Sequence, residues 1–354
     1  MRRRQLLAAG AAGTLASIAP VASAQSATKT LRVCLQIPET GFDPAQTQDY
    51  YSNTIISHIF DAPLRYDYMA RPVRLVPNTA AALPEVSDDY RTFTIRLAPG
   101  IFFQDDAAFK GQRRELIAAD YVYSIKRVFD PRWKSQVLFI LEAARIVGLE
   151  QLRQRALKDK QPFDYQRDAD GLRLLDRYTF QVRLERPNPR FVNTLAIANP
   201  LGAVAREVVD AYGDQITAHP VGTGPFRLAQ WTRTSRIVLE RNPTYREEIY
   251  DFAPPAASPQ LASDVQRLRG RRVPLVDRVE VSIIQEAQPR LLSFEQGGLD
   301  HLLVPVEYGT LVAPNGKLAP NFVRRGVRLD TTPMADLTMS SFQYGRPAGR
   351  RLHA

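Results

Sequence analysis

Tyr90-Arg91-Thr92-Phe93-Thr94-Ile95-Arg96-Leu97 runs through Ala98-Pro99-Gly100 into Ile101-Phe102-Phe103. Phe93, Ile95 and Leu97 alternate with Thr92, Thr94 and Arg96, which is the period of a half-buried strand. Pro99-Gly100 ends that strand, and the short gap to Ile101–Phe103 predicts a hairpin. The period then changes. Across Ala118–Phe129 the apolar residues Val122, Ile125 and Phe129 fall on one helical face, with Pro131 as the stop. A strand pattern that gives way directly to a helix pattern sets the fold class as α/β, in the mixed α+β sense.

The same alternation recurs outward from this stretch. Asp176–Leu184 reads Asp-Arg-Tyr-Thr-Phe-Gln-Val-Arg-Leu, with Phe180, Val182 and Leu184 on one face. Leu31–Ile37 and Val279–Ile284 read as further strands, and Phe226–Trp231 with Ile237–Glu240 as a second hairpin. Helical spacing appears at Tyr51–Phe60, in a segment starting near Pro189, and at Gln288–Gln296, where Gly297-Gly298 stops it. Two hairpins within mixed strand and helix argue for more than one lobe.

The chain has 354 residues, with 44% hydrophobic and 24% charged, which excludes wholesale disorder, collagen and coiled coil. Its net charge is +10, but basic residues are spread along the chain. The denser run Arg267, Arg269, Arg271 and Arg272 flanks Gly270 and reads as a solvated loop, so the charge gives no ground for a nucleic-acid partner. The single cysteine, Cys34, permits no intramolecular disulfide and no CxxC metal site. It sits in a strand and reads as a small buried side chain rather than a reactive thiol.

Residues 1–24 read as a secretory signal peptide: Arg2–Arg4, an uncharged stretch from Leu6 to Ile18, and Ala22-Ser23-Ala24 as the cleavage site. The paired arginines allow either a Sec or a twin-arginine route. Cys34 lies ten residues past the cut, too far for a lipoprotein anchor, so the expected destination is the periplasm. From Ser340 to Ala354 the sequence loses periodicity and reads as a disordered tail.

No GxSxG, P-loop, GxGxxG or HExxH motif is present. Asp105-Asp106 and Glu247-Glu248 are adjacent pairs that read as turn residues, and His219 has no nucleophile partner. Gly222-Thr223-Gly224-Pro225 reads as a tight turn more readily than as an anion cradle, because Pro225 supplies no N–H. Tyr50, Tyr51, Tyr66, Tyr68, Tyr121, Tyr123, Phe139 and Trp231 offer flat faces suited to a tolerant ligand cleft. These features exclude a recognisable enzyme and a cofactor. The rival classes are a secreted hydrolase, which lacks its chemistry here, and a periplasmic chaperone or scaffold.

Several stretches together resemble the bacterial extracellular solute-binding proteins of family 5, the oligopeptide/dipeptide/nickel type. They are Ala82-Leu83-Pro84-Glu85, Phe93–Ile101, Phe109-Lys110-Gly111, Arg114-Glu115-Leu116, Ala118–Arg127 with Asp130-Pro131, Gly222–Phe226, Leu239–Tyr245, Pro274–Asp277 and Gly297–Asp300. The resemblance implies a two-lobed fold like the type II periplasmic binding proteins. Lobe I would comprise 25–49 and 172–250, with 50–171 inserted as a subdomain and 251–339 beginning lobe II. It implies a peptide ligand held between the lobes, an ABC importer permease as partner, and a monomer. Phe42 and Asp43 after the first strand, the region after Asp130-Pro131, and Asn242 are the expected ligand-binding residues. Ile117 stands where relatives carry a hydroxyl that caps the helix. Relatives of this type run longer, so the chain reads as truncated, frameshifted or incompletely annotated, with an incomplete second lobe and impaired peptide binding.

Overall fold

A computed structural model describes residues 28–253 and 259–331; the signal peptide expected at 1–24 and the tail expected at 340–354 lie outside the described residues. In chain order the strands and helices begin with β1 (Thr30–Leu35), α1 (Tyr50–Ile59), β2 (Leu64–Tyr66), β3 (Leu75–Pro77), β4 (Glu85–Val86) and β5 (Thr92–Arg96). Next come α2 (Ala118–Phe129), α3 (Leu138–Ala144), α4 (Leu149–Asp159), β6 (Leu172–Asp176) and β7 (Thr179–Arg183). The short helices α5 (Phe191–Thr194), α6 (Ala198–Leu201) and α7 (Arg206–Tyr212) lead to β8 (Phe226–Thr232) and β9 (Arg236–Arg241). The series ends with β10 (Glu248–Ile249), α8 (Pro259–Leu268), β11 (Arg272–Val273), β12 (Arg278–Ile283), α9 (Ala287–Glu295), α10 (Gly309–Val312) and α11 (Pro320–Arg324).

One four-stranded sheet has the order β1-β12-β9-β8, with β1 parallel to β12 and the other pairs antiparallel. Ile237, Leu239 and Val281 sink into the core. The charged residues of the same strands form a ladder of ion pairs: Arg227–Glu240 at 3.3 Å, Glu240–Arg278 at 3.2 Å, Arg278–Glu280 at 2.9 Å and Glu280–Arg236 at 2.8 Å. Cys34 is half-buried on β1, and burial pushes its thiol pKa up, away from reactivity.

The second sheet, β4-β5-β7-β6, is antiparallel throughout. Its register sets Phe93 opposite Val182 and Ile95 opposite Phe180, so the two alternating patterns read from sequence share one buried face. Helix α2 lies on that face, its Tyr121 ring stacked on Phe180 at 5.5 Å. The expected hairpin between 90–97 and 101–103 does not form. Both edges of β5 are taken by β4 and β7, and Gly100, at φ +79°, turns the chain away. Residues 101–103 pair instead with 114–116, through Phe103 N–H to Arg114 O at 2.9 Å and Leu116 N–H to Ile101 O at 2.8 Å. Asp176–Leu184 likewise is not one strand: it turns at Arg177-Tyr178 between β6 and β7.

Strand pairing crosses the expected lobe boundaries at three places. Strand β7, within 172–250, bonds to β5; β12, within 251–339, bonds to β1 and β9; and β11, within 251–339, bonds to β10. By contact density the chain divides between His301 and Leu302. In the second unit the described residues form α10, α11 and short 3-10 turns, joined by Ala319 N–H to Val312 O at 2.9 Å.

Ile117 does stand at the N-cap of α2 without a side-chain hydrogen bond. One main-chain carbonyl and one side-chain carboxylate serve the N–H groups at this end of the helix instead. The Ala118 N–H donates to Arg177 O at 2.9 Å, and the Asp120 carboxylate accepts the Ile117 N–H at 2.9 Å.

Gly222-Thr223-Gly224 is a close backbone crossing. A Cβ on Gly222 would stand 2.0 Å from the Ile59 carbonyl oxygen, and one on Gly224 2.7 Å from His58 and Ile59 carbonyls. Gly222→Ala is therefore expected to destabilise the protein by about 1–3 kcal/mol or more, read as a lower urea midpoint, because the clash is with main chain that cannot swing aside. An unchanged midpoint would show that the crossing is loose.

Candidate ligand-binding site

The segment between β1 and α1, residues 36–49, is held from several directions. At its centre the Asp43 carboxylate receives both arms of the Arg127 guanidinium, at 2.6 and 2.8 Å. The side chains are 0% and 1% exposed. Arg127 lies on the last turn of α2, and its guanidinium carbon stands 4.0 Å over the Trp133 ring. Asp43 also accepts the Ala45 N–H at 3.2 Å. Phe42 is fully buried and meets the Trp231 ring at 4.7 Å, while the Phe42 N–H donates to Thr217 O at 3.0 Å. The Trp231 indole N–H and the Thr234 N–H both donate to Glu39, which pins the β8–β9 turn to the segment. Asn199 donates to Thr47 O, and Ser135 to Ala45 O at 2.6 Å.

The segment ends at the N-terminus of α1. Asp49 caps it by accepting the Ser52 N–H at 2.8 Å and the Thr40 hydroxyl at 2.5 Å. Burial opposes ionisation of Asp49, and these donors overcome it, holding the carboxyl below its usual range. Immediately after the cap Tyr50 is 76% exposed, with its ring edge-on to Tyr51 at 5.4 Å. Ile55, Ile56 and Ile59 anchor the opposite face of the helix in the core.

The C-terminal end of α1 is fixed by a second buried carboxylate. Asp61 accepts from Arg246 at 2.7 Å, Thr223 at 2.9 Å and Asn78 at 3.0 Å. Burial opposes its ionisation, and the charge and hydrogen bond of Arg246, with the bonds from Asn78 and Thr223, hold the Asp61 carboxyl below the usual carboxylate range. Asn242 is 2% exposed, donates to Gly224 O at 2.9 Å and accepts from the Thr244 N–H at 3.0 Å.

The structure thus brings Phe42 and Asp43 together with the region after Asp130-Pro131, and places Asn242 near the opposite end of α1. All three named side chains are buried and engaged with protein partners. Of the aromatics, Tyr50, Tyr66, Tyr68 and Phe139 are exposed, whereas Tyr121 is fully buried, its hydroxyl 2.6 Å from Thr79. The remaining polar candidates have structural partners. Asp106 accepts from the Ala108 N–H and the Tyr212 hydroxyl, Glu248 accepts from Tyr245, and His219 stacks on Tyr212 at 4.2 Å. Sequence reasoning missed Arg127 and Arg246, the cations that organise both ends of α1. Each lies inside a stretch quoted for the family or directly after one, but nothing in its spacing gives its partner.

The sequence pattern of the bacterial extracellular solute-binding proteins, family 5 Middle, matches residues 74–343. The chain belongs to this family. The family is one of bacterial extracellular solute-binding proteins. The glutathione-binding protein GsiB of Pectobacterium atrosepticum is 25% identical over 340 residues, covering 94% of this chain and 53% of that one. The periplasmic oligopeptide-binding protein OppA of Salmonella typhimurium is 27% identical over 205 residues, 57% of this chain and 34% of that one. Among solved structures, OppA of Haemophilus influenzae in complex with RPPGFSPFR superposes with a TM-score of 0.62 at 19% identity, over 81% of this chain and 48% of that one. Burkholderia pseudomallei OppA gives 0.60 at 22% identity, over 81% and 48%. These likenesses establish the fold of the periplasmic oligopeptide-binding proteins. The chain spans about half the length of the GsiB relative and of the two solved OppA structures. Among the described residues no helix is long and apolar enough to cross a membrane.

Two substitutions test the supports of α1. Arg127→Met strands the Asp43 charge in the core and is expected to cost about 3–5 kcal/mol in urea unfolding, with Asp43→Leu/Arg127→Met recovering much of the loss. For Asp61 the folded pKa lies below the unfolded one, so its stabilisation is present above about pH 4 and is lost as pH falls through the lowered folded value. Arg246→Gln removes the depressing charge and is expected to move the acid-unfolding midpoint to higher pH. An unmoved midpoint would show that Asp61 does not govern acid unfolding.

Proposed function

We propose that this family 5 chain is the substrate-binding component of an ABC importer, exported to the periplasm, and that its solutes are oligopeptides. The family match over 74–343 carries the reading. It is supported by relatives named for glutathione, di- and tripeptide and oligopeptide binding. No bond is made or broken in this function. A peptide lies between two lobes and touches both only when they are closed, so binding shifts the population toward the closed form, which the membrane permease recognises.

In this reading 25–49 and 172–250 contribute lobe I, 50–171 an inserted subdomain, and 251–339 the start of lobe II. The segment around Phe42 and Asp43, with the chain after Asp130-Pro131, forms one wall of the cleft, and Asn242 supports the wall farther along α1. Because all three side chains are buried in this structure, they act on the ligand by fixing the backbone and the exposed start of α1 at Tyr50. The protein works as a monomer, with no cofactor and no nucleic-acid partner.

A polypeptide of these 354 residues spans about half of its relatives, so it offers part of the ligand surface. Calorimetric titration with a mixture of tri- to pentapeptides is expected to give dissociation constants weaker than about 1 mM, where binding free energy is only about 4 kcal/mol. Micromolar binding would show that these residues suffice for a working cleft. Closure on peptide, seen as a reduced radius of gyration in solution scattering of a full-length family member carrying this sequence, tests the receptor reading itself. Its absence at saturating peptide would refute that reading.

A further inference from the structure

The two-stranded ribbons β2–β3 and β10–β11 carry an aromatic and basic surface that the proposed cleft wall does not use. Tyr68, Phe252 and Tyr250 form a chain of edge-on rings, with centres 5.3 Å and 5.0 Å apart. Arg65 joins the ribbons: it pairs with Glu248 at 2.6 Å, and its guanidinium carbon lies 6.0 Å from the Tyr68 ring and 5.9 Å from Phe252. The β2–β3 turn is braced by Asp67, which accepts the Met69 N–H at 3.0 Å and the Ala70 N–H at 3.2 Å and pairs with Arg74 at 2.7 Å. Presenting its side chains to a partner therefore needs little further ordering.

Two independent features mark this surface. Its apolar side chains stand open to water: Tyr68 is 67% exposed, Val73 on the same turn 62%, and Ile249 46%. Exposed apolar groups gathered in this way indicate an interaction surface. Its cations are in excess. Arg267 and Arg269 are paired, with Asp264 at 3.3 Å and Asp251 at 3.2 Å. Arg71 on the β2–β3 turn, and Arg271 and Arg272 at the entry to β11, are exposed and have no carboxylate partner among the described residues. Arg272 lies opposite Ile249 in the register, and the Tyr250 N–H donates to Arg271 O at 2.8 Å, which sets Arg271 at the end of the ring chain.

We propose that this surface docks on an anionic phospholipid bilayer. The unpaired guanidiniums meet the headgroup phosphates, whose charge they complement. Tyr68 has an apolar ring and a hydroxyl tip, which suits the boundary between headgroups and acyl chains. Val73 and Ile249 gain from the same boundary, whereas an aliphatic side chain has no stacking role on a nucleic-acid base. In the importer reading the docking holds the receptor at the surface where the permease lies. The docking itself does not rest on that reading, because lipid binding is measured without peptide or permease.

The test is vesicle flotation of the chain purified from Gln25 onward, which leaves out the expected signal peptide. Vesicles of equal parts phosphatidylglycerol and phosphatidylcholine are compared with pure phosphatidylcholine, and a single-stranded oligonucleotide is titrated in parallel. The expected result is binding to the mixed vesicles alone, weakening as salt shortens the Debye length from about 30 Å at 0.01 M to about 10 Å at 0.1 M. Arg271→Gln/Arg272→Gln is expected to weaken partitioning at least about tenfold, and Tyr68→Ser/Val73→Ser about threefold or more. The control is Arg173→Gln/Arg183→Gln, which removes the same charge from the outer face of the β4-β5-β7-β6 sheet and is expected to change partitioning less than about twofold. All the substituted residues are exposed, and circular dichroism checks that each variant is folded. No binding to the mixed vesicles at low salt, binding unchanged in both surface variants, an equal loss in the control, or oligonucleotide binding in place of lipid would each overturn the proposal.

Discussion

The placement of the proposed cleft wall depends on one buried ion pair. Asp43 and Arg127 are 84 residues apart in sequence and meet in a two-pronged contact almost closed to solvent. Taking both charges out of water is expensive, and Coulomb attraction alone does not guarantee repayment. Here the geometry answers the cost. The guanidinium fork matches the carboxylate, the Trp133 face covers the cation, and the Ala45 N–H occupies a further acceptor site. The pair converts a loop between a strand and a helix into a fixed bracket.

That bracket is half of a larger arrangement. Helix α1 has ten residues, about 15 Å of axis, and each end is locked by a carboxylate held ionised against burial. At the start Asp49 caps the helix; beyond its end Asp61 gathers Arg246, Thr223 and Asn78, while Gly222 and Gly224 let the neighbouring backbone touch the last carbonyls. Between them three isoleucines fasten the helix to the core. A wall fixed this way is suited to a receptor that grips by closing, because little of the ligand's binding energy is spent on ordering it.

The two sheets meet different demands. In the β4-β5-β7-β6 sheet the central strands β5 and β7 bury alternate residues under α2, so each of these two carries a clear period of two. In the β1-β12-β9-β8 sheet the charged side chains of β8, β9 and β12 pair across strands and remain partly exposed. Such pairs add little stability individually. Opposite charges set across from one another do favour one register over its neighbours.

Period and punctuation in the sequence determined the strands at Phe93–Leu97, Phe180–Leu184 and Val279–Ile283, the helix at 118–129, and the β8–β9 hairpin, because each is a local pattern that burial must obey. The order of the family's stretches determined the fold. The sequence could not tell that Ile101–Phe103 would pair with Arg114–Leu116, since which edge of β5 stays open depends on strands far away in the chain. Nor could it tell that Phe42, Asp43 and Asn242 would be buried supports, that Arg127 would be the partner of Asp43, or that Arg246 would be the partner of Asp61. An ion pair between distant residues leaves no periodic mark. Only the tertiary structure brings the charges within reach and excludes water from them, and that exclusion gives these pairs their weight.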